Sequence, residues 1–146
     1  MHGLALVILT TIVPWLEYRA AIPLMVELGI DPMIGLPSIL LVNTLVPALA
    51  LIAAVNLEGW IMRLPLISRL LEVAWRWTAR SREKVEKYGY PALTLLVFVP
   101  LPGSGMWTAV AVAFLLRLRP LKSILFSAAG LVPSALLIYS LVSFFT

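Results

Sequence analysis

Charged residues divide this chain of 146 residues into long apolar runs. Residues 1–16, 32–57, 88–116 and 123–146 contain no Asp, Glu, Lys or Arg. A charged side chain at the centre of a bilayer costs about 2.5 to 3.5 kcal/mol even on the most lenient scale, so such runs are typical of segments within a membrane. Because a spanning helix needs about 20 apolar residues, the second and fourth runs predict one crossing each.

The composition supports a membrane protein and narrows its chemistry. Hydrophobic residues make up 62% of the chain and charged residues 12%, a balance outside that of soluble domains. There is no cysteine and one histidine, His2, so the sequence predicts no disulfide scaffold, no metal site and no cofactor. It also lacks a nucleophile elbow and a Walker-type loop, and we therefore do not expect an enzyme.

The basic residues indicate the orientation in the membrane. Ten of the eleven lie in two connecting segments: Arg63, Arg69, Arg76, Arg80, Arg82, Lys84, Lys87, Arg117, Arg119 and Lys122. By the positive-inside rule both connectors are predicted to be cytoplasmic, whereas the segment 27–34, with two acids and no base, fits the outside. The net charge of +4 thus relates to topology and anionic lipid rather than to nucleic acid. We expect a multi-pass protein of the cytoplasmic (inner) membrane with both termini outside.

The run 88–116 is predicted to enter and leave the membrane on one side. It begins and ends at cytoplasmic connectors, so it must cross an even number of times, yet it is too short for two full spans. Pro100 and Pro102, with the glycines Gly103 and Gly105, lie at its middle and break a helix there. Two arms of about 12 residues, roughly 18 Å each, would reach the midplane and return, which predicts a re-entrant hairpin.

The first thirty residues show the same order of features. An apolar arm is followed by a break from Pro14 to Arg19 and by a second arm, punctuated by Pro23, that ends near Gly29. A shift of 86 residues superposes Pro14 on Pro100. Since each half makes one net crossing, the second half must be inverted relative to the first. The two broken tips would then meet near the midplane, as in many secondary transporters.

These features predict a single all-α membrane domain, residues 1–146, built as an inverted repeat. Its parts are a re-entrant hairpin at 1–31, a transmembrane helix at 32–57, an amphipathic cytoplasmic helix at 58–87, a second re-entrant hairpin at 88–116 and a transmembrane helix at 121–146. In the connector, apolar residues recur at helical spacing while arginines occupy other faces. This pattern is typical of a helix that lies on the membrane surface.

Glu17 and Arg19 are the two charged residues that this arrangement places deep in the membrane, where an ionisable group is a functional hypothesis by default. In an extended stretch, residues two apart point the same way, so the broken tip could present both side chains to one cavity. A carboxyl group removed from water favours its protonated form, and Glu17 could therefore take up and release a proton. The alternative is an internal salt bridge that only neutralises the tip.

The second break is predicted to supply the opposing groups. Gly103, Ser104 and Gly105 would form the N-terminal end of a half-helix, whose free N–H groups and positive dipole end favour an anion. Together with the arginine of the first break, they could hold a phosphate or a carboxylate. Thr108 could add a hydroxyl ligand, although such hydroxyls often bond their own helix, and Trp107 is as readily a packing residue as a substrate contact.

Two stretches of the chain resemble a known family. PWLEYRAAIP at 14–23 and PLPGSGMWT at 100–108 resemble the signature stretches of the small multi-drug export family, which looks like a compact relative of the DedA superfamily. The resemblance covers nearly the whole chain. It implies two opposed re-entrant hairpins and the movement of lipids, such as polyprenyl and glycerophospholipids, across bacterial membranes with an ion gradient. Glu17 and Arg19 match the acidic and basic positions of the first stretch, and the resemblance implies their roles as well.

The leading hypothesis is an ion-gradient-coupled transporter or flippase of an anionic, lipid-like amphiphile, with Glu17 as the coupling carboxylate and Arg19 as the head-group ligand. One alternative is a proton-coupled exporter of cationic drugs, in which Glu17 binds proton or drug in turn. A third is a non-transporting membrane scaffold. Membrane lipids and a small amphiphile are the expected partners. Two spanning helices would shield the polar tips poorly in a monomer, which favours a homodimer.

Overall fold

A computed structural model describes residues 1–101 and 104–146, and within these ranges all regular secondary structure is helical. The helices are α1 (His2–Ile12), α2 (Glu17–Glu27), α3 (Pro32–Asn56), α4 (Glu58–Ile61), α5 (Pro65–Arg80), α6 (Arg82–Phe98), α7 (Met106–Leu115) and α8 (Pro120–Phe145).

The helices α3 and α8 correspond to the two predicted spanning segments. They contain 25 and 26 residues, and both are long and apolar enough to cross a membrane. Each begins with a proline, Pro32 or Pro120, at a position where the missing N–H costs nothing. Asp31 caps α3 by accepting a hydrogen bond from the backbone N–H of Met33. Leucines cover the outward surface of both helices, as expected for contact with lipid; they include Leu41, Leu45, Leu49, Leu125 and Leu136.

Two pairs of shorter helices form hairpins against these long helices. The helix α1 packs on α2, and α6 packs on α7. The first helix of each hairpin ends in the same way, at an extended valine that precedes a proline. Val13 has φ −67° and ψ 121°, and Val99 has φ −68° and ψ 121°. Both second arms end at a left-handed residue, Gly29 with φ +63° and Arg117 with φ +51°.

The interior positions of α2 and α7 also coincide, at an offset of 88 residues. In each helix four buried positions match pairwise: Tyr18 with Met106, Ala21 with Ala109, Ile22 with Val110 and Met25 with Ala113. The first arms follow the predicted offset of 86, which pairs Val13 with Val99. Measured between matched positions, from Val13 to Tyr18 and from Val99 to Met106, the second break is therefore two residues longer than the first, a difference that superposing the prolines alone does not reveal.

The helices α6 and α8 pack closely together at Gly130. Gly130 lies against the α6 backbone, where a Cβ atom would overlap the carbonyl oxygen of Thr94 and lie 3.2 Å from the backbone nitrogen of Phe98. The Thr94 hydroxyl donates to the Phe126 carbonyl at 2.7 Å. Small residues at such a contact allow two backbones to approach, as is common between helices in membranes.

The connector predicted as one amphipathic helix over 58–87 is divided in the structure. Pro65 begins α5, and the residue before it, Leu64, is extended with φ −81° and ψ 114°, the conformation that a following proline favours, so α4 and α5 are separate helices. The helix α6 then begins at Arg82, six residues before the predicted start of the second hairpin. The amphipathic pattern lies on α5, with an exposed apolar face formed by Leu66, Leu70, Val73 and Trp77.

The connector is attached to the end of the second hairpin through Arg117. Its guanidinium lies 3.8 Å from the centroid of the Trp75 ring on α5 and pairs with the carboxylate of Glu58 on α4 at 2.6 Å. The left-handed backbone of Arg117, φ +51°, turns the chain at this point. One side chain thus links α4 and α5 to the turn between α7 and α8.

Candidate substrate site between the two helix breaks

The first break consists of the four residues 13–16, which reverse the chain between α1 and α2, and of the first turn of α2 at residues 17–19. Pro14 follows the extended Val13, and both Trp15 and Glu17 have left-handed backbones, with φ +81° and +48°. Residues other than glycine rarely adopt this conformation, and such strain concentrates at functional sites. The helix α2 begins at Glu17, so Glu17 and Arg19 lie in its first turn and not in an extended stretch as the sequence predicted.

Glu17 reaches across to the second break. Its side chain is 3% exposed. Its Oε2 accepts a hydrogen bond from the backbone N–H of Met106 at 3.3 Å, and its Oε1 accepts one from that of Trp107 at 3.2 Å. These are the first two N–H groups of α7, which have no partner within their own helix. The carboxylate therefore lies where the positive end of a helix dipole favours a negative charge.

Gly105 leaves room for this carboxylate. A Cβ atom at this position would overlap Oε2 of Glu17 and lie 2.7 Å from its Cδ. The two breaks can therefore approach closely because the side chain of Glu17 on the first break fills the space left by the missing side chain of Gly105 on the second.

Arg19 also contacts the second break. Its Nη2 donates to the carbonyl oxygen of Val99 at 3.0 Å and to the hydroxyl of Ser104 at 3.2 Å. The Ser104 hydroxyl also lies 2.9 Å from the Val99 carbonyl and 2.8 Å from that of Leu101. The Nε of Arg19 is buried and has no partner in the described residues. The guanidinium is thus held through Nη2, while Nε remains a hydrogen-bond donor for another group.

Tyr18 connects the first break to α6 and α8. Its hydroxyl donates to the carbonyl of Val97 at 3.0 Å and lies 2.8 Å from the hydroxyl of Ser134 on α8, and both Tyr18 and Ser134 are fully buried. This residue was not singled out in the sequence. Its position between two charged residues of the break is the signal that would have found it.

Glu17 and Arg19 do not form the internal salt bridge considered as an alternative. Among described residues, the ion pairs are Arg82 with Glu86 and Arg117 with Glu58. Each charged group of the first break instead binds backbone or hydroxyl groups of the second break.

The remaining predicted residues occupy several positions around the two breaks. Pro14 and Pro100 each follow the last residue of a first arm. Pro23 lies inside α2, which continues to Glu27, so this proline does not end the second arm; its missing N–H leaves the carbonyl of Arg19 without an i→i−4 hydrogen bond. Pro102 and Gly103 lie outside the described residues.

Thr108 and Trp107 lie in the first turn of α7 and are both half-buried. The backbone N–H of Trp107 binds Glu17, whereas its indole Nε1 is buried without a partner among the described residues. The described part of the chain contains no cluster of three or more His, Cys, Asp or Glu side chains that could hold a metal ion. The groups that meet at the site are a carboxylate, a guanidinium, a hydroxyl and backbone N–H and carbonyl groups.

A family model described as "Putative small multi-drug export protein" matches residues 17–137. The chain belongs to this family. The matched range begins at Glu17 and includes Arg19, the second break and most of α8, so it covers all described groups that meet between the breaks. No curated protein and no solved structure matches the chain. The family and the two long apolar helices together indicate a membrane protein.

Proposed function

We propose that this small multi-drug export family member is an ion-gradient-coupled transporter of an anionic amphiphile, such as a phospholipid or a polyprenyl-phosphate-like lipid. The observation that carries this proposal is the contact between the buried Glu17 carboxylate and the first two N–H groups of α7, beside the guanidinium of Arg19. A carboxylate already binds there, and the same donors suit the phosphate of a head group.

The proposed arrangement in the membrane is a DedA-like inverted repeat with two re-entrant hairpins, α1 with α2 and α6 with α7. The matched buried positions of α2 and α7 support it, as do the equivalent ends of all four arms. The packing supports it further, because α2 and α7 each pack on both long helices, α3 and α8. The irregular backbone of the two breaks would then face protein rather than lipid, as a bilayer requires.

In the proposed mechanism, Glu17 is the coupling group and Arg19 the head-group ligand. A protonated Glu17 has no charge to hold at the start of α7, so proton uptake weakens its contact with Met106 and Trp107. The N–H groups that it releases and the free donor of Arg19 then bind the anionic head group. The apolar surface of the helices offers a route for the acyl chain.

A second candidate is a proton-coupled exporter of cationic compounds. The family description and the burial of a single carboxylate, Glu17, favour it. Here Glu17 would bind proton and cation in turn, and Arg19 would not contact the substrate. A non-transporting scaffold is a third candidate and is an outcome of the test below.

Transport in proteoliposomes separates these functions. Vesicles with an imposed pH gradient are loaded with a fluorescent phosphatidylglycerol or with a cationic dye, and flux is measured for the wild type, Arg19→Ala, Arg19→Lys and Glu17→Gln. We expect Arg19→Ala to lower lipid flux about tenfold or more, since a hydrogen bond to a charged group is worth about 1.5 to 3 kcal/mol. Glu17→Gln should abolish the dependence on the gradient.

Arg82→Ala is the matched control, because this arginine forms a surface pair with Glu86 and its side chain is 71% exposed. It should transport like the wild type. Dye flux that survives Arg19→Ala, without lipid flux in the wild type, would establish the cation exporter. Absence of both fluxes in the wild type would support the scaffold and reject transport.

A further inference from the structure

Gly105 directly precedes α7, yet its backbone gives no reason for a glycine. Its φ of −169° and ψ of −164° are extended values that any residue adopts. The left-handed conformations that favour glycine occur elsewhere in the breaks, at Trp15 and Glu17, which are not glycines. Glycine is therefore required at position 105 for steric reasons and not for its backbone conformation.

The space beside Gly105 is occupied by the carboxylate of Glu17. The three atoms nearest to a Cβ added at Gly105 all belong to this group: Oε2, which the Cβ would overlap, Cδ at 2.7 Å and Oε1 at 2.8 Å. By contrast, a Cβ atom at Gly59 would meet nothing within 4 Å. An alanine at 105 would thus displace the carboxylate from the start of α7.

Glu17 and Gly105 hold equivalent positions in the two hairpins. At the offset of 88 residues that matches the buried faces of α2 and α7, Glu17 coincides with Gly105. Glu17 extends its side chain to the second break, whereas Gly105 has no side chain. Glu17 does so from an unfavourable left-handed backbone with φ +48°, which indicates that its contact with Met106 and Trp107 compensates for local strain.

We propose that Gly105 is a positioning residue that admits the Glu17 carboxylate to the N-terminus of α7, and that this contact holds the two hairpins in a closed state. The carboxylate and an anionic head group cannot occupy the same two N–H groups together. Under the proposed function, on which this last step rests, the contact is an internal substitute for substrate that must be released before substrate binds. The contact itself does not depend on whether the protein transports anything.

The test uses purified full-length protein in maltoside micelles, with Ala109→Cys as a reporter in a chain that has no other cysteine. Ala109 lies one turn into α7 and is fully buried. Gly105→Ala should raise the rate at which a maleimide labels the reporter thiol by roughly ten- to a hundredfold, the population shift equivalent to losing a hydrogen bond to a charged group. Gly59→Ala should leave the rate unchanged.

Rescue distinguishes positioning from simple crowding. Glu17→Asp shortens the side chain by one methylene, about 1.5 Å, and withdraws the carboxylate from the added methyl group. The double variant with Gly105→Ala and Glu17→Asp should therefore label at the same rate as Glu17→Asp alone, within about twofold, because the two positions are coupled. Thermal unfolding of the same variants without the reporter cysteine should show the same coupling.

Additive effects of Gly105→Ala and Glu17→Asp in both measurements would overturn the proposal. So would equal labelling of Gly105→Ala and Gly59→Ala. Neither readout requires flux, so failure here leaves the transport proposal standing, and absence of transport leaves the closed contact standing.

Discussion

At the scale of single residues, the break of the first hairpin distributes three neighbouring polar side chains to three places. Glu17 binds the start of α7, Arg19 binds Val99 and Ser104, and Tyr18 binds the bundle through Val97 and Ser134. Neighbouring residues in a helix point in different directions, so a short polar stretch can join several elements. We infer that the buried tyrosine stabilises the fold by joining α2 to α6 and α8.

Replacing Tyr18 with phenylalanine tests this role. The variant leaves a buried carbonyl and a buried hydroxyl without their partner, and we expect the free energy of unfolding to fall by about 1 to 3 kcal/mol. Denaturant titration in detergent micelles, followed by circular dichroism, measures the change. Tyr88→Phe is the control, because Tyr88 is 60% exposed. Equal stability of the two variants would contradict the bridging role.

At the scale of elements, the packing of α6 on α8 depends on the absence of a side chain at Gly130. The Cβ of any other residue would collide with the backbone at Thr94, which cannot move aside as the end of a flexible side chain can. The two glycines, Gly105 and Gly130, thus serve different contacts: one admits a carboxylate and the other a helix backbone.

Gly130→Ala should therefore separate α6 from α8 and lower the free energy of unfolding by about 1 to 3 kcal/mol or more. In an exposed helix the same change has the opposite sign, since alanine favours a helix over glycine by roughly 0.5 to 1 kcal/mol. Gly59→Ala, with open space around it, provides this comparison in α4. The stability of each variant relative to the wild type is measured by thermal unfolding in micelles. If Gly130→Ala and Gly59→Ala both stabilise the protein, the packing argument is refuted.

At the scale of the whole molecule, the charge distribution and the helices suggest one orientation. The basic connector lies on α5 and the start of α6, whereas Asp31 and Glu27 lie at the turn between α2 and α3. With α3 and α8 as the spanning helices, these two regions would lie on opposite sides of the membrane. The chain termini would both lie outside.

Single cysteines test this topology without background. In whole cells, a membrane-impermeant maleimide should label Met33→Cys, which is 83% exposed, and Thr146→Cys, whereas Ala79→Cys on α5 should react only after the membrane is permeabilised. The expectation follows from the excess of Lys and Arg in the connector. Labelling of Ala79→Cys in intact cells, with protection of the other two, would reverse the orientation.

Several features of the fold follow from local sequence. The lengths of the apolar runs predicted α3 and α8, which are single helices of the expected extent. Pro14 and Pro100 predicted where two first arms end, because a proline disfavours a helical conformation of the preceding residue, and Val13 and Val99 are extended. The division of the connector at Pro65 followed the same rule but was obscured by the continuous amphipathic pattern around it.

Local sequence is enough to predict the long apolar helices, the proline breaks and the isolation of two charges, because each depends on residues close together in the chain. The groups that those two charges contact are seen in the folded structure and not in the sequence. Glu17 contacts Met106 and Trp107 across 89 and 90 residues, and Arg19 contacts Ser104 across 85. Such contacts depend on the relative placement of two hairpins. The sequence predicted an anion-binding helix end at residues 103–105, but α7 begins at Met106, and which N–H groups near that end meet a carboxylate depends on packing between segments far apart in the chain.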